Sequence, residues 1–291
     1  MTPTPKLIGQ NGRPMRIDLH IHSTASDGRW NPQQIVQQVQ AAGIDLFAVA
    51  DHDSIANVYA VEALARERAL AFIRAVEVSA SWRGQMIHIV GYGIDPDDKA
   101  LLAMLDENWS KLESVDEQSI RKLIEAGYEI SLAEFEAYQN DVSRGGWKAL
   151  NFMIDRGICR DVKDFFGRLF VDEMALDYPD FADPADVVRV IHQAGGAAIW
   201  AHPDNNVRVE YTAGRVFERM LNAGIDGLEC YTPYHDETAT QRCLDFCRRH
   251  NLLITAGSDC HGGFAGRAIG QPRVCLDQLN LGSLLDYAKN L

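Results

Sequence analysis

The chain has 291 residues, 46% hydrophobic and 24% charged, which is long enough to bury a core as one large α/β barrel or two ordinary domains. Its net charge of −13 argues against an extended basic surface, so we expect no long duplex nucleic acid among its partners. No stretch approaches the roughly 20 apolar residues of a membrane span, so we expect no membrane partner.

The N-terminal segment contains Pro, Thr and Gly and lacks the apolar core of a signal peptide. We therefore predict a flexible leader over residues 1–14. The six cysteines show no paired framework. Together these features predict reduced thiols and a cytoplasmic protein.

Predicted strands and helices alternate through residues 15–96. In chain order we predict a strand over 16–22, a helix from Asn31 and Pro32 to Gly43, a strand over 44–50, a helix over 54–68, and strands over 71–79 and 86–92. The first strand alternates polar and apolar residues. The second is a continuous apolar run, which is typical of a strand buried on both faces.

The pattern changes after Asp95-Pro96. Residues 97–181 carry mostly amphipathic helical patterns and few strand-like runs. We predict a helical insertion over 97–181 that caps a substrate site.

The α/β alternation resumes after residue 182, with predicted strands over 197–201, 227–231 and 252–256 and a short strand near Val274. Strands that alternate with helices favour a parallel sheet. About seven such strands over 15–96 and 182–291 predict a barrel of the (β/α)₈ kind that is one strand short. A doubly wound sheet is the alternative, but the chain lacks the Gly-rich phosphate loop of that fold.

Most of the histidines occupy one kind of position. Six of the nine fall at or just beyond the C-terminal ends of predicted strands: His20, His22, His52, His88, His202 and His261. In an α/β barrel, active sites are built on this face. Because His20 and His22 are two residues apart on a strand, both side chains point to the same face and can share a metal ion.

Three carboxylates accompany these histidines. Asp27 follows the first strand in a loop, Glu77 closes an apolar run, and Asp259 lies two residues before His261. A Glu within an apolar strand is costly to bury unless it is paired or bound to a metal. Nine ligands of this kind predict a site for two or three divalent ions. Nitrogen and oxygen donors without thiolates favour Mn²⁺, with Fe²⁺ or Zn²⁺ as alternatives.

These residues occur in ordered motifs that resemble those of the PHP (polymerase and histidinol phosphatase) domain phosphoesterases. The motifs are His20-Ile21-His22 with Asp27-Gly28, Asp51-His52-Asp53, Glu77 with His88, Ala201-His202-Pro203, and Asp259-Cys260-His261. The resemblance implies a distorted (β/α)₇ barrel with up to three metals. It assigns one metal to His20, His22, Glu77 and Asp259, and a second to Glu77 with His88. Asp27, His52, His202 and His261 complete the second and third ions.

The insertion resembles that of the branch which removes the 3′-phosphate from 3′,5′-bisphosphonucleosides such as adenosine 3′,5′-bisphosphate. The similar segment is centred on Arg144, although Gly146 stands where relatives often have His. We expect Arg144 and Lys148 to clamp the second phosphate, because Arg matches phosphate bidentately. His235 follows a strand at the active face and is a further predicted substrate contact.

The hypothesis for the reaction is attack on the 3′-phosphate by a metal-bridging hydroxide held by Glu77 and Asp259, with no general acid assigned. Histidinol phosphate and the 5′ ends of short oligonucleotides are alternative substrates. An amidohydrolase cleaving a C–N bond is an alternative from another reaction class. A binding module without activity is disfavoured, because such modules tend to lose ligands and all nine are present.

Overall fold

The structure, a computed structural model, describes residues 12–173, 178–203 and 215–288. Most of the predicted leader, residues 1–11, lies outside this part of the chain. The strands are β1 Arg16–Asp18, β2 Leu46–Val49, β3 Ala71–Trp82, β4 Gln85–Tyr92, β5 Ala197–Trp200, β6 Gly227–Tyr231, β7 Leu253–Ala256 and β8 Val274–Cys275.

The helices lie between these strands and in the insertion. They are α1 Pro32–Ala42, α2 Val58–Glu67, α3 Lys99–Glu125, α4 Leu132–Ala137, α5 Lys148–Asp155, α6 Pro184–Gln193, α7 Arg215–Asn222, α8 Glu237–His250 and α9 Leu284–Tyr287. Shorter helical turns cover Val142–Arg144, Val162–Asp164 and Leu276–Gln278, and a π-helix covers Phe165–Glu173. Within the described ranges, no helix has the length and apolar character needed to cross a bilayer.

The strands form one nearly closed barrel. Their order is β7-β6-β5-β4-β3-β2-β1-β8, with β4 antiparallel to both neighbours and β8 antiparallel to β1. The segment after β1 pairs with the end of β7 and the residues that follow it, because Leu19 N donates to Ala256 O at 2.9 Å and Ile21 pairs with Cys260. The barrel prediction is therefore confirmed. The seven principal strands are joined by a two-residue eighth strand at the edge of β1.

Both faces of the barrel strands are apolar, which explains their continuous hydrophobic runs. In β2, Leu46 and Ala48 belong to the barrel interior, whereas Phe47 and Val49 pack with Ile35 of α1 and the apolar face of α2. An α/β barrel needs both of these layers, one inside the sheet and one beneath the helices.

Helix starts follow from local chemistry. Asn31 and Gln34 form a capping box at the start of α1, and Gly43 ends it in a left-handed conformation, as predicted. The next helix was predicted from residue 54 but begins at Val58. Instead of capping a helix, the Asp53 carboxylate accepts hydrogen bonds from Ser79 N at 3.0 Å and from Asn108 Nδ2 at 2.8 Å.

The insertion has its own apolar core but shares a helix with the barrel. Leu101 and Leu105, near the start of α3, pack into the barrel cluster under α6. Ile120 and Leu123, near its end, pack with Phe152 of α5 in a separate cluster. A single rigid helix thus connects the insertion to the barrel.

Candidate metal centre

The barrel brings all nine predicted ligands to one end. Strands β1, β2, β3, β4, β5 and β7 or the loops that follow them supply the side chains, as expected for the C-terminal face of an α/β barrel. Seven of the nine are buried (His20, His22, Glu77, His88, His202, Asp259 and His261), and Asp27 and His52 are half-buried.

Glu77 is the hub of this cluster. Its side chain is fully buried in β3, and each of its two carboxylate oxygens faces several imidazoles. Oε2 lies 3.1 Å from His20 Nε2, 3.3 Å from His22 Nε2 and 3.0 Å from His52 Nδ1. Oε1 lies 2.9 Å from His202 Nε2 and 3.5 Å from His88 Nδ1. Such a carboxylate can bridge two cations.

Three groups of donor atoms lie close enough to share ions. In each group the donor atoms lie within 4.8 Å of one another, and the groups are His20, His22, Glu77 and Asp259; His52, Glu77 and His88; and His22, Asp27, His52 and His261. The first group contains the four residues that the family resemblance assigns to one metal. His202 is in none of the three, and it contacts the cluster through Glu77.

The buried donor atoms fit a cation better than they fit one another. Six ligand atoms are buried without a hydrogen bond of acceptable geometry: His20 Nε2, His22 Nε2, Glu77 Oε2, His88 Nδ1, His202 Nδ1 and Asp259 Oδ1. Each unsatisfied buried polar group costs about 1–3 kcal/mol, which coordination would recover. The imidazole and carboxylate donors, without thiolate, suit Mn²⁺, Fe²⁺ or Zn²⁺.

The imidazoles hold the two central carboxyls in their ionised form. Burial is the largest influence on Glu77 and would raise its pKa, but His20 and His52 among others outweigh it and hold that pKa well below the usual range. At Asp259, burial is again outweighed, chiefly by His261, and the pKa is well below the usual range. Both carboxylates are therefore available as ligands at neutral pH.

The imidazoles divide into two protonation classes. Burial, the largest influence, lowers the pKa of His88 to about 3 and that of His52 to about 4, so both rings are neutral near pH 7. At His22, burial lowers the pKa, but Asp259 and Glu77 outweigh it and raise the pKa to about 10. A cation held by His22 would have to displace this proton, so its binding would compete with protons there.

A second buried glutamate, which the sequence analysis missed, orients two of the histidines. Glu229 of β6 accepts a hydrogen bond from His20 Nδ1 at 3.0 Å on one oxygen and from His202 N at 2.9 Å on the other. The first bond leaves His20 Nε2 facing Glu77. The signal was present, because Glu229 interrupts an apolar strand just as Glu77 does.

The loop that carries Asp27 is held by Asp51. This carboxylate accepts hydrogen bonds from Ser23 N at 2.7 Å, Ser23 Oγ at 2.5 Å and Ser26 Oγ at 2.7 Å. Asp51 directly precedes the candidate ligand His52, so one short segment supplies a ligand and also fixes its neighbouring loop.

Tyr234 and Arg267, also missed, brace the far side of Asp259. Tyr234 Oη donates to Asp259 Oδ2 at 2.5 Å, and Arg267 Nε donates to Asp259 O at 2.6 Å. Arg267 also hydrogen-bonds Tyr234 Oη and lies 2.9 Å from His261 Nδ1. Asp259 has φ +48° and His202 has φ +29°, a costly backbone region for non-glycine residues. The brace therefore holds a strained ligand in place.

Each of the three predicted substrate contacts has a partner outside the nine candidate ligands. Arg144 makes a bidentate ion pair with Asp155 at 2.8 Å, and Lys148 Nζ donates to Glu136 O at 3.2 Å. Both side chains thus point into the insertion. His235, in the loop after β6, donates from Nδ1 to Cys230 O of that strand at 2.9 Å.

Comparisons with known proteins agree with this geometry. A family model described as PHP domain matches residues 18–150. The 3′,5′-nucleoside bisphosphate phosphatase of Chromobacterium violaceum is 30% identical over 280 residues, covering 89% of this chain and 93% of that protein. This chain belongs to the PHP-domain family.

Other relatives in this family have different named activities. The 5′-3′ exoribonuclease of Haemophilus influenzae is 30% identical over 84% of this chain and 90% of that protein. The phosphoribosyl 1,2-cyclic phosphate 1,2-diphosphodiesterase of Eggerthella lenta is 27% identical over 85% of this chain and 94% of that protein. A solved structure of an amidohydrolase from Chromobacterium violaceum shares this PHP fold, with TM-score 0.79, 25% identity and coverage of 94% of this chain and 97% of that one.

Proposed function

We propose that this PHP-domain protein is a metal-dependent phosphatase that removes the 3′-phosphate of 3′,5′-bisphosphonucleosides such as adenosine 3′,5′-bisphosphate. The cluster of nine ligands around buried Glu77, with its unsatisfied donor atoms, carries the assignment to metal-dependent phosphoester hydrolysis. The likeness to the bisphosphate phosphatase over 89% of the chain supports the substrate class.

The nine ligand residues would hold two or three divalent ions, and we propose Mn²⁺ ahead of Fe²⁺ or Zn²⁺. When bound, such ions lower the pKa of a coordinated water and neutralise phosphoryl oxygens. Glu229 fixes the orientation of His20, and Tyr234 with Arg267 fixes that of Asp259, so the protein supplies preformed ligands.

The proposed reaction is a simple hydrolysis. Water adds to the phosphorus of the 3′-phosphate, the bond between phosphorus and the 3′-oxygen breaks, and the 3′-oxygen takes up a proton. The products are a 5′-nucleotide and inorganic phosphate. The described cysteines are all free thiols, which fits the cytoplasmic site of action that we propose.

A second candidate is removal of nucleotides from the 5′ ends of short oligonucleotides, favoured by the likeness to the exoribonuclease. The two substrates share one chemical unit, a nucleotide with a 5′-phosphate that is cleaved at its 3′-oxygen. The net charge of −13 supports small substrates over long duplexes.

The test is phosphate release, with Mn²⁺ present, from adenosine 3′,5′-bisphosphate, adenosine 5′-monophosphate and histidinol phosphate, with a 5′-phosphorylated oligonucleotide followed by nucleotide release. We expect preference for the bisphosphate, with adenosine 5′-monophosphate as product. Preference for the oligonucleotide would select the second candidate. If metal-loaded protein acts on none of them, phosphoester hydrolysis is the wrong class, and C–N substrates are the next panel.

A further inference from the structure

We call the end of the barrel that carries the nine candidate ligands the barrel mouth. Among the residues that the structure describes, four cationic side chains lie beside this mouth or in the segment of the insertion that contacts it: Arg29, Arg144, Lys148 and Arg267. In three of them the charged group already contacts a carboxylate or an aromatic ring. Arg144 pairs with Asp155, Lys148 Nζ lies 4.7 Å from the centroid of the Phe135 ring, and Arg267 contacts Asp259. Arg29 differs, because no carboxylate in the described ranges pairs with it. Its one side-chain hydrogen bond to a described residue is a long one, from Nε to Ser143 O at 3.4 Å.

The backbone of Arg29 is fixed directly to the metal centre. Its N–H donates to the carbonyl of the candidate ligand His261 at 3.2 Å. Asp27, another candidate ligand, is two residues earlier, so the two Cα atoms are at most about 7.6 Å apart. The loop closes on itself through Gly28 N to Ser23 O at 3.0 Å. Arg29 therefore leaves a fixed loop at the edge of the site.

The insertion closes over the stem of Arg29. Gly146 N donates to Asp27 O at 2.8 Å, which holds this segment against the barrel. A Cβ at Gly145 would lie 2.6 Å from Arg29 Cγ, so only a glycine lets the backbone pass this closely. A Cβ at Gly262 would likewise lie 3.0 Å from Arg29 Cβ. The stem is confined from two sides, while the residue as a whole remains exposed.

We propose that Arg29 binds the 5′-phosphate of the substrate, at the seam between the barrel and the insertion, in place of the clamp predicted at Arg144. This inference rests on the proposed function. The Nη atoms of Arg29 donate no hydrogen bond to any residue that the structure describes, and a guanidinium matches phosphate bidentately. A confined stem reduces the entropy lost on binding. Arg144 would first have to leave Asp155. The same contact serves a nucleoside bisphosphate and the 5′-phosphorylated end of a short oligonucleotide.

The experiment compares adenosine 3′,5′-bisphosphate with adenosine 3′-monophosphate, which lacks the 5′-phosphate. Arg29→Ala is expected to lower kcat/KM for the bisphosphate roughly 10- to 100-fold, mainly through KM, as for loss of a hydrogen bond to a charged group. The value for the 3′-monophosphate should stay within about twofold. Arg29→Lys should recover only part of the loss, because Lys is a point charge. Arg121→Ala, which removes an exposed arginine of α3, is the matched control.

Three results would overturn the proposal. An equal loss on both substrates would mean that Arg29 supports the loop or the ligands, and metal content by elemental analysis would reveal this. No loss on the bisphosphate would exclude the contact. A selective loss in Arg144→Ala but not in Arg29→Ala would restore the original clamp.

The same assays separate this proposal from the proposed function. If the metal-loaded wild-type protein cleaves neither nucleotide, the function itself fails and the subsite with it. If it cleaves the bisphosphate and Arg29→Ala changes nothing, only the subsite fails. Short oligonucleotides with a 5′-phosphate or a 5′-hydroxyl identify the source of the phosphate, since only the phosphorylated one should respond to Arg29→Ala.

Discussion

The barrel mouth and the insertion differ in whether their charged and polar side chains have partners. In the insertion, arginines find carboxylates nearby, as in Arg144 with Asp155 and Arg156 with Glu134. At the mouth, carboxylates and imidazoles are buried with donor atoms left unsatisfied, Glu77 Oε2 among them. Burial of such groups is costly, and six of them in one cluster require an explanation, which a bound cation supplies. The difference therefore favours the mouth over the insertion as the place of the proposed chemistry.

The strongest test of this difference between the two regions is a substitution that removes the charge of Glu77. Because Glu77 faces five imidazoles, Glu77→Gln should remove metal and lower kcat/KM more than about 100-fold, since loss of an outer partner alone typically costs 10- to 100-fold. Elemental analysis and phosphate release measure the two effects. Glu134→Gln, which breaks an exposed pair in the insertion, is the control. A Glu77→Gln protein with full metal content and activity would show that the centre lies elsewhere.

Substitution of Glu229, at the same barrel mouth, should lower metal affinity or activity less than substitution of Glu77. Glu229→Gln keeps the shape but weakens the charge-assisted bond to His20, so metal affinity or activity should fall roughly 10- to 100-fold. Isothermal titration with Mn²⁺ separates lost affinity from lost turnover. Unchanged Mn²⁺ binding and turnover would mean that β6 itself positions His20, without help from this carboxylate.

The two regions also differ in how far sequence alone could describe them. Several candidate ligands could be predicted, because a period of two along extended backbone puts His20 and His22 on one face and Glu77 interrupts an apolar strand. Arg267 was not, since it lies in the loop after β7 and reaches Asp259 only through the folded path of that loop. The partner of Arg144 could not be predicted either, because the packing of the insertion places Asp155 beside it.

The start of α2 also could not be predicted from local sequence alone. The helix predicted from residue 54 begins at Val58, and the carboxylate of Asp53, just before the predicted start, makes tertiary contacts with Ser79 and Asn108. Burial, the largest influence, raises the pKa of Asp53 to about 6 despite these hydrogen bonds. Local patterns thus predicted which strands and helices form and that the nine candidate ligands meet at one end of the barrel. The loops could not be predicted, because their conformations depend on hydrogen bonds between residues far apart in the sequence.

The smallest predicted effect concerns Asp116, a half-buried carboxylate of the insertion that accepts a hydrogen bond from Ala149 N at 3.2 Å at the start of α5. Burial, with Glu113 adding, outweighs that bond and raises the pKa of Asp116 from its ordinary 3.8 to about 7. Between these two values the folded chain holds a proton that the unfolded chain has lost. Stability from this group therefore falls as pH rises from about 4 to 7 and is flat above.

Asp116→Asn removes this titration while keeping an acceptor for Ala149 N. Relative to wild type, the variant should gain roughly 1–2 kcal/mol of unfolding free energy between pH 5 and pH 8, a value reduced for partial exposure. Urea unfolding with a chelator present, at several pH values, measures the difference and removes the metal centre from the comparison. Asp106→Asn, on an exposed position of the same helix, should show no such trend. A pH-independent difference for Asp116→Asn would mean that this carboxyl is ionised in the folded protein and that water reaches it beneath α5.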